Sequence, residues 1–287
     1  MHKYSKSVAV ALIALSMVFV SCSDDDDNNN GNGNGTSSEE IVKPSEVFTG
    51  GLPSQIGDMM ITTNEKGQIS EIKDDDKTIT FQYASVARAS EYDMTMDVKW
   101  LDNPQDWVKF YIKLNKQGFI ASADEVIYED GGQDTETWAF EYNSDGQMTK
   151  MVRSEGNNEV TTITYSNGDI VKVDMKSDPD PEYPDETDEM HAVITNTNIP
   201  NKSGIMLFDE TYRIDMDEMA PAYFAGLLGK GTKHLPLKAV EDNYSVTCSW
   251  TLDGNDMPTS LTTTINEGGY EYTEEPILFK WAYKVNK

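Results

Sequence analysis

Cys22 carries the most definite chemistry in this chain. Lys3 and Lys6 give a basic start, residues 8–20 form an apolar run, and Ser21 stands directly before Cys22. Such a run is too short to cross a bilayer as a helix and suits the h-region of a secretory leader. A small residue before a cysteine at that point is the lipoprotein arrangement, in which the thiol is acylated and the cysteine becomes the new N-terminus. Phe19 and Val20 depart from the usual leucine and small residue at those places. Ser23, Asp24, Asp25, Asp26 and Asp27 follow. Cleavage would remove Lys3 and Lys6 and no acid from a chain of net charge −27, so membrane attachment must come from the lipid.

The other candidates for chemistry are weak. His191 and His234 lie far apart and read as surface or capping residues. Cys248 has no disulfide partner once Cys22 is acylated; it alternates with Val246 and Trp250 and reads as a buried thiol. The glycine-rich residues 226–232 follow a helical stretch and have the wrong Gly-Thr-Lys order for a phosphate loop. Asp26 to Gly31 begins like a calcium loop, but Ser37 stands where the bidentate Glu belongs. Asp215, Asp217 and Glu218 read as a solvated helix start. No catalytic residue, metal ligand or cofactor is expected, and no basic patch suits nucleic acid. Exposed aromatics are the better lead. Tyr111 shares a face with Lys109 and Lys113, and Trp100 and Trp107 flank Pro104. These three rings are the candidate contacts for a sugar or peptide, unless closure of the sheet covers them.

The elements that would position them are strands. Ile79, Phe81 and Tyr83 alternate with polar residues, as do Val108, Phe110, Ile112 and Leu114, then Trp138, Phe140 and Tyr142, and finally Ile277, Phe279, Trp281, Tyr283 and Val285. One face is packed and one is wet, which predicts an all-β antiparallel meander of hairpins in a curved or barrel-like sheet. A turn unit recurs: Asn64 to Gly67, then Ile69 and Ile72; Asn143 to Gly146, then Met148 and Met151; Asn167-Gly168, then Ile170 and Val173. Asn115 to Gly118 and Asp253-Gly254 are looser copies. The +2/+5 apolar spacing breaks strict alternation and predicts a bulge or change of face after each turn. The acidic, proline-rich residues 177–190 should form an exposed loop. Residues 217–228 carry one helical stripe, with Asp217 as N-cap and Gly229 as the terminating glycine. That short helix should pack on the open face of the sheet.

Three resemblances accompany these residues. Ser23 to Asp27 resembles the surface-export signal of Bacteroidetes lipoproteins. The hairpin from Phe140 to Met148 resembles the YD repeat of Rhs-type proteins. Asn201-Lys202-Ser203-Gly204 and the block from Tyr223 to Pro236 resemble a Bacteroidetes lipoprotein domain of unknown function described as porin-like in fold. That last resemblance implies a curved or closed antiparallel sheet and brings no catalytic residues. The strands are short and their polar faces rich in Lys and Glu, so the sheet is expected to be water-facing rather than membrane-spanning.

The resulting map is a leader over 1–21, a lipidated cysteine with a disordered tether over 22–47, and one β-rich domain over 48–287. A flexible tether of that length reaches roughly 25–30 Å. The expected role is a non-enzymatic binding module, lipid-anchored in the outer membrane and facing the exterior, for a glycan, peptide or outer-membrane protein. A cell-surface hydrolase and an accessory subunit of an outer-membrane complex are the alternatives. Cys22→Ala is expected to abolish acylation, read by labelling with a fatty-acid analogue; unchanged labelling would refute the leader reading. Replacing Asp24 to Asp27 with Ala should keep the lipid but lower protease accessibility on intact cells.

Overall fold

A computed structural model describes residues 41–83, 91–129, 131–179 and 188–282. The leader, Cys22, the Ser23 to Asp27 signal, most of the tether, Tyr283 and Val285 lie outside the described residues. The first half of the wall comprises β1 (Leu52–Ile56), β2 (Met59–Thr63), β3 (Ile69–Lys73), β4 (Lys77–Tyr83), β5 (Met94–Trp100), β6 (Trp107–Leu114), β7 (Ile120–Glu129), β8 (Gly132–Tyr142) and β9 (Met148–Arg153). The second half comprises β10 (Glu159–Ser166), β11 (Asp169–Lys176), β12 (Glu189–Pro200), β13 (His234–Glu241), β14 (Tyr244–Leu252), β15 (Pro258–Glu267), β16 (Tyr270–Thr273) and β17 (Ile277–Ala282). The helices are α1 (Pro44–Val47), α2 (Glu155–Asn158), α3 (Phe208–Tyr212) and the 3-10 segment η1 (Asp217–Tyr223).

Each strand from β1 to β15 pairs antiparallel with the next, and β1 pairs with β17, so the meander closes. β16 and β17 both pair with the same edge of β15 and act as one interrupted strand, giving a barrel of 16 positions. The expected all-β meander therefore forms a closed barrel. Alternation sets the two faces. Ile79, Phe81, Met96, Val98, Phe110, Ile112, Trp138 and Phe140 are buried inward, while Thr78, Thr80, Lys99, Lys109, Lys113 and Glu141 point outward. The outer wall is thus rich in Thr, Lys and acids, the reverse of the apolar outer band of a transmembrane barrel. No helix among the described residues is long and apolar enough to cross a membrane.

One copy of the recurring turn is a two-residue turn in which Asn167 (φ 54°) and Gly168 (φ 88°) are both left-handed, and the other four share one geometry. The first side chain accepts backbone N–H bonds from two and four residues on: Lys66 and Gln68 to Asn64 at 2.9 and 3.0 Å, and Asp145 and Gln147 to Asn143, both at 3.0 Å. Asn115 and Asp253 do the same. The left-handed position falls at Gly67, Gly118 and Gly146, and in the last copy at Asp256 rather than Gly254. Three residues later one residue has no partner opposite it: Ser70, Ala121, Thr149, Val171 and Thr259 are skipped in the registers. This is the predicted bulge, and it accounts for the +2/+5 spacing. The carbonyl just before the bulge is taken by an inward side chain of the next strand: Tyr83 to Ile69, Tyr142 to Ile120, Asn196 to Ile170 and Trp281 to Pro258, at 2.6–2.9 Å.

All these turns lie at one end of the barrel, which is closed. Residues 201–233, between β12 and β13, leave the wall there and run through the lumen. Gly204 accepts a hydrogen bond from Tyr223, Arg213 reaches Glu241 at the far end at 3.2 Å, and the segment returns so that Lys230 and Lys233 bond Gly146 and Gly168. Tyr212, Ile214, Met219, Tyr223 and Leu227 are fully buried. The helix expected over 217–228 departs from expectation in form: only 217–223 is helical, it is 3-10, and Asp217 has φ 40° and caps nothing. Met219, Pro221, Ala222 and Tyr223 are all buried inside the barrel, so the segment needs no single amphipathic stripe, and α3 precedes it without an obvious sequence signal.

The tether ends earlier than residue 47. Val42, Pro44, Val47 and Phe48 are buried across the closed end, Gln68 donates to the Val42 carbonyl at 3.2 Å, and Phe48 meets Tyr223 edge-on at 5.5 Å. Gly226 (φ 75°) allows this close approach, since a Cβ there would lie 2.7 Å from Pro44 Cα. At the other boundary, Glu189 and Met190 already belong to β12, and residues 180–187 lie outside the described residues. Phe224→Ala and Leu227→Ala are each expected to cost about 2–5 kcal/mol. In a protein starting at residue 41 this should lower the melting temperature by at least about 4 °C. A shift under about 2 °C would show that the plug does not hold the wall.

Candidate functional site

Opposite the closed end, the lumen opens in a polar mouth. Its centre is Arg153, the last residue of β9, only 6% exposed. The strand registers place Arg153 across from Trp138 on β8 and Glu159 on β10, all pointing inward. The guanidinium donates to Glu159 at 3.1 Å, to Asp215 of the plug at 3.3 Å and to Asp217 of the plug, with Glu155 at 3.4 Å. Its carbon lies 5.8 Å from the centre of the Trp138 ring. One side chain thus ties two strands and α2 to the inserted segment. Removing it would leave Glu159 buried without its cation, a loss worth about 3–5 kcal/mol in comparable pairs.

Beneath Arg153, Trp138 Nε1 donates to Glu125 at 2.6 Å, and Glu136 stands directly across the sheet from Glu125. Burial pushes the Glu125 carboxyl up to about 8, with the charge of Glu136 adding to it, so Glu125 is protonated at neutral pH. Burial, then the neighbouring Glu136 and Asp217, lift half-buried Glu155 to about 7. Asp209, Glu136 and Glu218 are raised in the same direction, again chiefly by burial. Glu218 is half-buried rather than solvated, and Asp215 and Asp217 are ligands of Arg153 rather than a free helix start.

Beside this network lies a cleft of about 550 Å3 between the plug and β10–β13. Six carboxylates line it, from Glu159, Asp188, Glu189, Asp209, Asp215 and Glu241, with Arg213 as the cation and Met175 and Met190 as apolar floor. Arg213 (φ 60°) bridges Asp209 and Glu241, both at 3.2 Å, and lies 4.2 Å over the Tyr244 ring. Glu189 pairs with Lys176 at 2.7 Å. Among the described residues no group of His, Cys, Asp and Glu is arranged to hold a metal ion.

The aromatics picked from sequence separate. Trp107 and Tyr111 face outward on β6, and Trp107 stacks on Tyr128 with centroids 4.0 Å apart and planes 5° apart. Tyr111 tilts against Tyr92 at 5.2 Å, with Lys109 5.6 Å from its centre. Trp100 is not part of this set: it follows Met94, Met96 and Val98 on the inward face of β5 and packs against the core. Flanking the same proline does not put two residues on one face. His234 is held by Asp169 at 2.8 Å, and His191 sits outside against Asp174 at 2.6 Å. Cys248 is buried, and burial pushes its thiol up to about 12. Sequence reasoning passed over Glu125, Arg153 and Glu159, although each occupies an inward position of its strand. A charge where the alternation calls for an apolar residue was the available signal.

Comparison with known proteins agrees with this architecture. Solved structures that share the fold include two porin-like proteins. One is a porin-like protein from Bacteroides uniformis, 18% identical, with a TM-score of 0.55 over 78% of this chain and 89% of that one. The other is a porin-like protein from Bacteroides vulgatus, 13% identical, with a TM-score of 0.51 over 80% of this chain and 99% of that one. No curated protein sequence matches the chain. Residues 59–270, which span the wall from β2 to β16 together with the plug, match one family profile, and the chain belongs to that family, the domain of unknown function (DUF4595) with porin-like fold.

Proposed function

We propose that this protein is a lipid-anchored binding module displayed on the outer face of the outer membrane, and that it takes a cationic ligand at the barrel mouth. The observation that carries the ligand class is the cleft itself, where six carboxylates outnumber the three cations that pair with them, Arg153, Arg213 and Lys176, over a floor of two methionines. Such a site favours an amine or guanidinium on an apolar stem, as a Lys- or Arg-bearing peptide presents it. The chain reaches the barrel through Val42 to Phe48 at the closed end. A tether from Cys22 to that point would leave the mouth directed away from the lipid. The polar outer wall offers no band for lipid contact, which supports attachment through Cys22.

Binding rather than catalysis is the better reading of the mouth. Glu159, Asp209, Glu241 and Glu189 are engaged by Arg153, Arg213 and Lys176, and Glu125, which carries a proton at neutral pH, is 4% exposed under Trp138. A hydrolase needs two free carboxyl groups facing across the cleft. Of the large apolar residues exposed on the wall, Val193 and Val240 face each other across β12 and β13, while Met60 lies on β2 and Leu278 on β17. That argues against a permanent subunit interface.

Calorimetric titration with a short Lys/Arg-rich peptide and its Glu-substituted counterpart tests the ligand class. The basic peptide should bind with an affinity that falls as salt rises, and the acidic one should not. The double variant Asp188→Asn/Glu189→Gln should weaken binding by roughly tenfold, about 1.4 kcal/mol. Equal heats from both peptides would refute the proposal. Binding should also weaken as pH falls from 8 towards 5. Glu155 at the same mouth is held at about 7 and loses its charge within that interval, and burial raises Asp209 in the same direction.

A further inference from the structure

The outer wall carries a surface of opposite character, independent of the mouth. The registers of β3 to β8 set Lys73, Thr78, Lys99, Trp107, Tyr128 and Gln133 opposite one another in turn, as one outward row across six strands. Neighbouring members are about 4.8 Å apart, the strand spacing. Trp107 lies between Tyr128, stacked at 4.0 Å, and the Lys99 ammonium, 5.7 Å from its centre. Two rows nearer the closed end, Tyr111 packs on Tyr92, with Lys113 5.5 Å from the Tyr92 ring; one row farther, Lys113 itself faces outward. The row between is neutralised by the Lys109–Asp97 pair at 2.9 Å. No carboxylate among the described residues pairs with Lys73, Lys99 or Lys113. This gathering stands out in a chain with 50 acids against 23 bases.

We propose that this row binds a linear anionic polysaccharide, one bearing uronic acid carboxylates. Three observations select that class. The surface is the convex outside of a barrel, so it cannot enclose a small molecule; only an extended chain lying across the strands touches several members at once. Aromatic side chains in the row offer apolar surface to the C–H faces of pyranose rings, and the lysines on the β3–β5 side of them meet carboxylates carried by the same polymer. The overall charge of −27 repels the dense phosphates of nucleic acid, whereas a uronate chain carries at most one charge per sugar. Stacking of Trp107 on Tyr128 serves the wall as well, as a cross-strand pair. That structural role does not account for the unpaired lysines alongside it.

Affinity electrophoresis of the purified chain through gels containing polygalacturonate, in EDTA, tests the proposal. Methyl-esterified polygalacturonate is the comparison, since it keeps the sugar rings and removes the charge. Retardation by the acid form is expected, at least fivefold weaker in the esterified gel and lost at high salt. Trp107→Ala should abolish it. Lys73→Gln/Lys99→Gln, two exposed changes that leave the core untouched, should abolish the preference for the acid form even if Trp107→Ala proves unstable. The mouth variant Asp188→Asn/Glu189→Gln should be retarded like the parent, which separates this site from the one proposed above. Absence of retardation, equal retardation of the lysine variant, or equal retardation by poly-glutamate would overturn the proposal.

Discussion

A barrel of 16 strand positions encloses more space than its own side chains can fill, and the rest of this structure follows from that constraint. In a membrane channel the excess is left to water. Here the inward faces are Ile, Val, Met, Phe and Trp, so an empty lumen would expose a large apolar surface to solvent. The insertion between β12 and β13 removes that exposure, with Tyr212, Ile214, Met219 and Tyr223 fully buried inside. Wall and plug therefore depend on each other: neither has a dry core alone.

The same constraint makes the two ends unequal. At the closed end the bulged turns tilt their last residues inward, and Gln68, Phe119, Gln147 and Met257 are buried there. Gln68 and Gln147 hold the N-terminal segment and the returning plug by side-chain hydrogen bonds to carbonyls of Val42 and Gly231 at 3.2 and 3.1 Å. Among the described residues no such turn occurs at the mouth, and the tip of the plug is polar. Its acids would be costly to bury without a cation, which Arg153 supplies from the wall. Charge at the mouth is thus the counterpart of closure at the other end.

This division leaves two surfaces free for recognition, with opposite chemistry. The mouth is concave and acidic, suited to a short cationic group that enters between plug and wall. The row across β3 to β8 is convex, aromatic and basic, suited to an extended anionic chain. The fold alone assigns no ligand; that information resides in particular residues.

Much of the wall was legible in the sequence because strand alternation is local: the side chains of Ile79 and Phe81, or Phe110 and Ile112, reveal their face through their immediate neighbours. The turn unit was legible too, down to the bulge, because Asn, Gly and the +2/+5 apolar positions all lie within nine residues. Closure was not, since pairing of β1 with β17 joins residues more than two hundred positions apart and leaves no local trace. The plug misled for a related reason. Residues 217–228 look amphipathic, yet Met219, Pro221, Ala222 and Tyr223 are all buried in a 3-10 segment, so helical periodicity carried no weight there. Glu125, Arg153 and Glu159 looked like three of many charges in an acidic chain. What distinguishes them is that neighbouring strands bring them, with Asp215 and Asp217 of the plug, to one end of the lumen, and only the tertiary structure decides which charges meet around one buried guanidinium.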